Sequence, residues 1–223
     1  MSKKKISVTK LCEYLSCEDP ARREAIIKYQ KRPIPDIARR YAIAKKAMMN
    51  YITSGYDEKI LDAAIDELVL MNPSDLPIGD HSSSIEALEL FMSIDLPDLD
   101  DCEFELRTHH TATRVDIEGL SVSVNPNIVI RRKRRKQDQV GCIKMNVSKL
   151  GKLSEDGLKY LSTLLNSYCI DHIASDSETV RKDLCIGIDC FSENYEIAPK
   201  AYIMTMKKVK AGCREIVSRW DMI

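Results

Sequence analysis

The sequence predicts a mixed α/β (α+β) fold, a central mixed sheet flanked by helices and preceded by a helical N-terminal region. Two observations carry this expectation. Three runs rich in β-branched residues, 113–117, 121–130 and 140–147, lie between turn-like or charged breaks, the pattern of an antiparallel meander. Before and after them, apolar residues recur at helical spacing. At 223 residues the chain is long enough to bury a substantial core as one large domain.

Residues 6–17 read as a short helix capped near Ser7 or Thr9, with Leu11, Tyr14 and Leu15 on one face. Pro20 suits a first helical turn and opens a basic helix over 20–31, bearing Arg22, Arg23, Lys28 and Lys31. Pro33 and Pro35 end it. A longer helix is predicted over 35–54 and closed by Gly55, with Ile37, Tyr41, Ala44, Met48 and Tyr51 near helical spacing. Residues 57–71 form an amphipathic helix around Ile60, Leu61, Ala64, Ile65 and Leu68.

A turn-rich connection, 72–84, leads to a short helix at 85–92 and an acidic, proline-broken loop at 95–101. Residues 103–110 begin the sheet and are expected to pair with 113–117. His109 and His110 read as polar strand ends, because adjacent side chains point to opposite faces of a strand. Ser154 caps a helix to about Tyr168. Residues 184–190 read as a buried strand, 195–198 as a short edge, and Pro199 opens a last helix to Trp220. The chain thus divides into a helical region or cap, 1–102, and a sheet-containing core, 103–223.

Net charge is zero, yet the charges are segregated. Residues 1–56 carry 13 cations against 5 anions, 57–105 carry 1 against 15, and 106–153 carry 11 against 3. This suggests opposed basic and acidic faces, or an acidic segment covering a basic one. Clustered cations are what phosphate binding requires. Arg39, Arg40, Lys45 and Lys46 on the 35–54 helix are therefore candidates for nucleic-acid contact, against the plainer reading of a solvated face. So is the hexamer Arg131, Arg132, Lys133, Arg134, Arg135 and Lys136, which is expected at an exposed hairpin tip because six like charges cannot pack inward. A nuclear-localisation signal is the other reading of such a hexamer. No apolar run reaches membrane-spanning length, and the first ten residues lack the apolar centre of a signal peptide. Eight cysteines without a CxxC spacing read as reduced core thiols, which places the chain in the cytoplasm with no membrane partner.

Polar positions interrupt the strands: Asn125-Pro126-Asn127 in the second run and Lys144 in the third. Pro126-Asn127 followed by Gly141-Cys142-Ile143-Lys144 resembles the core of the PD-(D/E)XK nucleases, closest to the RecB-like branch that includes the CRISPR adaptation exonucleases. The resemblance covers roughly residues 103–220 and the order strand–strand–strand–helix–strand–helix. In that family a Pro-Asp on one strand and a Glu/Asp-x-Lys on the next bind a divalent metal. Here Asn127 and Cys142 stand where the acids would be, and Lys144 alone is retained. An amide offers one neutral oxygen, and a thiol is soft where magnesium prefers oxygen. The resemblance therefore implies a degenerate site with no metal cofactor, and Lys144 as a fixed positive charge.

The leading expectation is a catalytically degenerate nuclease-like protein. It binds nucleic acid, DNA ahead of RNA, or assembles with a protein partner, in the bacterial-defence or mobile-element setting that such relatives imply. One alternative is an active nuclease whose magnesium or manganese is held by relocated acids among Asp116, Glu118, Glu155 and Asp156. Another is a structural subunit whose acidic 57–105 segment docks on a basic partner. RecB-like relatives can hold an iron–sulfur cluster, but Cys185, Cys190 and Cys213 are too scattered to form its C-terminal group with Cys12 or Cys17.

Overall fold

The strands foreseen from the β-branched runs are shared between two sheets. A computed structural model describes residues 4–32, 40–77, 79–107 and 114–223. The chain begins with β1 (Lys5–Ser7), α1 (Val8–Ser16), α2 (Pro20–Lys31), α3 (Ala42–Thr53), α4 (Lys59–Leu70) and α5 (Asp80–Met92). The strands β2 (Cys102–Leu106), β3 (Arg114–Ile117), β4 (Leu120–Ser123), β5 (Ile128–Arg132) and β6 (Asp138–Asn146) follow. Then come α6 (Glu155–His172), β7 (Glu178–Asp189), β8 (Asn194–Ile197) and α7 (Tyr202–Trp220).

The larger sheet has the order β2-β5-β6-β7-β8, antiparallel throughout except for the parallel pair β6–β7, which α6 connects. A parallel neighbour needs such a crossover, because a hairpin cannot deliver it. The smaller sheet has the order β1-β4-β3, with β1 parallel to β4. Alternation along the central strands divides the interior into two cores. Val129, Val140, Cys142 and Cys185 face α1, α6, α7 and the small sheet. Ile128, Ile130, Ile143, Met145, Ile186 and Ile188 face α3, α4 and α5. The mixed α/β architecture is as predicted.

Several boundaries differ from the sequence reading. The three runs do not form one meander. The second run breaks at residues 124–127, sending β4 to the small sheet and β5 to the large one. β2 pairs with β5, Phe104 opposite Ile130, and not with β3. α3 starts at Ala42, after a left-handed Tyr41 (φ 60°), so Arg40 and Tyr41 precede the helix. α5 starts five residues before the expected 85, at Asp80, whose carboxylate accepts from the Tyr41 N–H at 2.7 Å and from Ser84 Oγ at 3.2 Å. That tie comes from another element, so the local serine-rich composition could not announce it.

The basic helix α2 is consumed by the fold. Arg22 pairs with the buried Glu13, Arg23 donates to the Cys17 carbonyl at 2.7 Å, and Lys28 pairs with Glu24. Lys31 donates to the Trp220 carbonyl at 2.9 Å. Lys4 reaches Asp221 at 2.8 Å, and the Tyr14 hydroxyl donates to Glu215 Oε1 at 2.9 Å. Residues 4–31 and α7 are thereby clasped across almost the whole chain.

Candidate nucleic-acid interface

Asn127, Cys142 and Lys144 lie close together on β6 and the connection into β5. The Asn127 side-chain oxygen accepts from the Met145 N–H at 2.8 Å, and its own N–H donates to the Ile143 carbonyl at 2.8 Å. This fastens the entry to β5 against β6. Cys142 is fully buried and receives a hydrogen bond from Cys169 at 3.2 Å. Burial raises its pKa, an effect the Cys169 contact opposes. An amide already engaged and a protonated core thiol do not fit a hard divalent cation. Among the described residues, no three His, Cys, Asp or Glu side chains group to hold a metal ion.

Lys144 is half-buried, and its ammonium donates to the Asn125 carbonyl at 2.7 Å. Asn125 presents that carbonyl from a left-handed backbone (φ 36°), next to Pro126. No carboxylate pairs with Lys144 among the described residues. Burial first, and then the Lys45 ammonium, bring its pKa down to about 8, opposed by Cys142. Lys45 is itself lowered by burial, partly offset by Cys190 and Asp80. It donates to the Arg40 carbonyl at 3.4 Å and lies over the Tyr41 ring. Lys46 is exposed on the same helix, and Arg39 lies outside the described residues, as do His109 and His110. The structure thus brings Lys45 within electrostatic reach of Lys144, a proximity nothing in the spacing announces.

The proposed substitute acids are elsewhere engaged or exposed. Asp116 accepts from the Gly119 N–H in the β3–β4 hairpin, and Glu118 pairs with Arg214 of α7. Glu155 pairs with Lys159 within α6, and Asp156 is exposed beside it. None of the four forms a hydrogen bond or ion pair with Lys144.

The hexamer divides in two, which corrects the expectation of six cations at one tip. Arg131 and Arg132 belong to β5 and are half-buried. Arg131 lies between Glu105 at 2.9 Å and Glu178 at 2.8 Å, and Arg132 reaches Asp183 at 3.3 Å. Such pairs are what permits arginine inside a sheet. At the tip, Lys133 pairs with Asp138 and Arg134 with Asp101. Arg135 and Lys136 are exposed and have no ion pair among the described residues. The acidic segment thus covers part of the basic one through Asp101 and Glu105.

Arg134, Arg135 and Lys136 line a cleft of about 510 Å³ with Gln137, Gln139, Thr179 and Arg181. The sequence reading did not single out Arg181, because it lies in a strand expected to begin only at 184. Arg181 pairs with Asp183 at 3.0 Å and Arg134 with Asp101, so Arg135, Lys136 and the amides are the donors left for a phosphate group: a guanidinium fork takes phosphate oxygens in pairs, and amides add neutral donors. No family model matches this chain, and no curated protein matches it.

Proposed function

We propose that the protein is a catalytically degenerate nuclease-like protein that binds nucleic acid, DNA ahead of RNA, as a subunit of a larger assembly. The observation that carries the reading is the basic cleft at the β5–β6 tip, where Arg135 and Lys136 are left without carboxylate partners. Cations at this density beside amide donors are the electrostatic footprint of phosphate binding.

The loss of the nuclease reaction rests on donor chemistry. Phosphodiester hydrolysis of the PD-(D/E)XK type needs carboxylates to hold the cation that polarises the phosphate. Asn127 and Cys142 instead serve β5 anchoring and core packing. What supports the resemblance is the succession β5, β6, α6, β7 and α7, although β3 and β4 belong to the smaller sheet and β8 follows β7. Lys144 then contributes positive charge without a metal to act with.

Labelled single- and double-stranded DNA and RNA, incubated with magnesium or manganese, test binding and cleavage in the same samples. Salt-sensitive binding with intact strands is the expected result. Cleavage that disappears in Lys144→Ala would overturn the degenerate reading. Absence of binding to all four nucleic acids would overturn the nucleic-acid reading.

A further inference from the structure

We infer that a cavity beside the tip cleft receives one unpaired guanine of a single strand whose phosphate lies in the cleft. The inference rests on the nucleic-acid reading above and names the base and the form of strand that the protein takes.

The register places the two recesses on one face of the large sheet. Arg132 follows Ile128 and Ile130 at every second position of β5, and those two face α3, α4 and α5. Gln139, Gly141 and Ile143 keep the same alternation on β6, and Thr179 of β7 lies opposite Gln139. Gln139 and Thr179 line the cleft of Arg135 and Lys136. On the same face, a cavity of about 360 Å³ has Arg132 and Asp183 in its wall, with Pro97, Asp98, Tyr195 and Ile197.

One carboxylate joins the two recesses. Asp183 accepts from Arg181, which lines the cleft, at 3.0 Å, and from Arg132, which lines the cavity, at 3.3 Å. Two contacts and the width of a carboxylate separate the guanidinium groups, a span that one nucleotide bridges from phosphate to base. Arg132 and Asp183 belong to strands on either side of β6, and an irregularity lets them meet. Val140 pairs with Val180 and Cys142 with Cys185, so β6 spends one residue, Gly141, where β7 spends four, residues 181–184. An ideal Cβ on Gly141 would lie 2.2 Å from the Leu184 carbonyl oxygen, so the extra segment closes directly over β6. Bulges of this kind re-aim side chains and often lie beside functional sites.

The polar groups in the cavity match guanine. Arg132 holds Asp183 by one long contact, and its buried Nε has no hydrogen-bond partner among the described residues. Such a donor marks an acceptor still to be met, and a guanidinium suits O6 and N7 of guanine. Asp98 accepts from the Asp100 N–H at 2.9 Å through one oxygen and has no ion pair among the described residues. Its other oxygen is left for the N1–H and 2-amino donors of the same base. In a duplex those donors are spent on cytosine, so the base must be unpaired. Adenine carries a donor where guanine carries O6, and pyrimidines lack N7. Pro97, Tyr195 and the exposed Ile197 supply flat and apolar walls for the ring, and base–aromatic contact is what single-strand binding uses. The wall is fixed in advance: the Tyr56 hydroxyl donates to the Pro97 carbonyl at 2.6 Å, and Leu99 is buried.

The test measures the affinity of short oligothymidines that carry one central guanine, adenine, cytosine or abasic site. Wild type is compared with Asp98→Asn, Arg132→Lys and Arg135→Gln/Lys136→Gln, each first shown by thermal melting to be folded. The guanine strand is expected to bind about tenfold more tightly than the abasic strand. Asp98→Asn removes a negative charge, so it should bind every strand at least as well as wild type, yet lose the guanine preference. Arg132→Lys keeps its charge and should lose the preference too, whereas the tip variant should weaken all strands and keep it. Equal binding of all four strands, a preference for another base, or a guanine preference that survives in Asp98→Asn would overturn the base site and leave the function standing. No binding of any strand or duplex by wild type would overturn both.

Discussion

Replacing Lys144 by methionine is expected to shift the protein's stability in a pH-dependent way. The ammonium is half-buried, has one backbone acceptor at 2.7 Å and meets no carboxylate. Burial, with Lys45 adding to it, moves its pKa from the ordinary 10.5 to about 8. At about 1.4 kcal/mol per pH unit, carrying that charge in the folded chain costs about 3 kcal/mol, and the side chain's partial exposure discounts this to about 2 kcal/mol. Below pH 8 both folded and unfolded chains are protonated at this residue, so the cost is present in full. Between pH 8 and 10.5 the unfolded chain holds the proton and the folded chain does not, so this group's contribution to stability rises with pH.

Lys144→Met removes the charge cost and also the Asn125 hydrogen bond, worth about 1 kcal/mol. The variant is expected to be more stable than wild type by about 1 kcal/mol at pH 7, and to lose that advantage as the pH approaches 10. Urea unfolding of both proteins at the two pH values measures the difference, in which the titration of groups not coupled to Lys144 cancels. A variant destabilised by the same margin at both pH values would refute the reasoning. The expected outcome has a functional reading: a lysine kept at a cost to the fold is kept for something outside it.

Three further outcomes follow from the packing. Gly141→Ala drives a methyl group into the Leu184 backbone and is expected to cost about 3 kcal/mol or more, read from chemical denaturation. Asp189→Ala strips a buried carboxylate from Asn146 Nδ2, the Leu153 N–H and the Ser192 N–H, at 2.6, 2.8 and 2.8 Å; the loss is expected to be about 3 kcal/mol, with faster amide exchange at Leu153 and Ser192. A thiol reagent at pH 8 is expected to modify Cys17 and Cys102 in the native protein. The other six cysteines are buried, and should react only on unfolding.

Local signals were legible where one residue decides a boundary. Ser7 caps α1 by accepting from the Lys10 N–H, Pro20 opens α2, and Ser154 caps α6. What escaped the sequence depends on residues far apart in the chain. The split of 121–130 between sheets turns on which neighbours β4 and β5 find, and β-branched residues suit both. The division of the hexamer turns on Glu105, Glu178 and Asp183, three acids on two other strands. Lys144 was legible as an anomaly, and its nearness to Lys45 was not.

The clasp between residues 4–31 and α7 has a consequence for synthesis. Contacts such as Tyr14–Glu215 and Lys31–Trp220 span some two hundred residues. During synthesis α1 waits with Leu11 and Cys12 uncovered until α6 emerges, and its contacts with α7 close only when residues near 220 follow, whereas α3, α4 and α5 find one another early. The nascent protein therefore exposes the apolar surface of α1 until α6 has been made. That segment is where a chaperone would be needed.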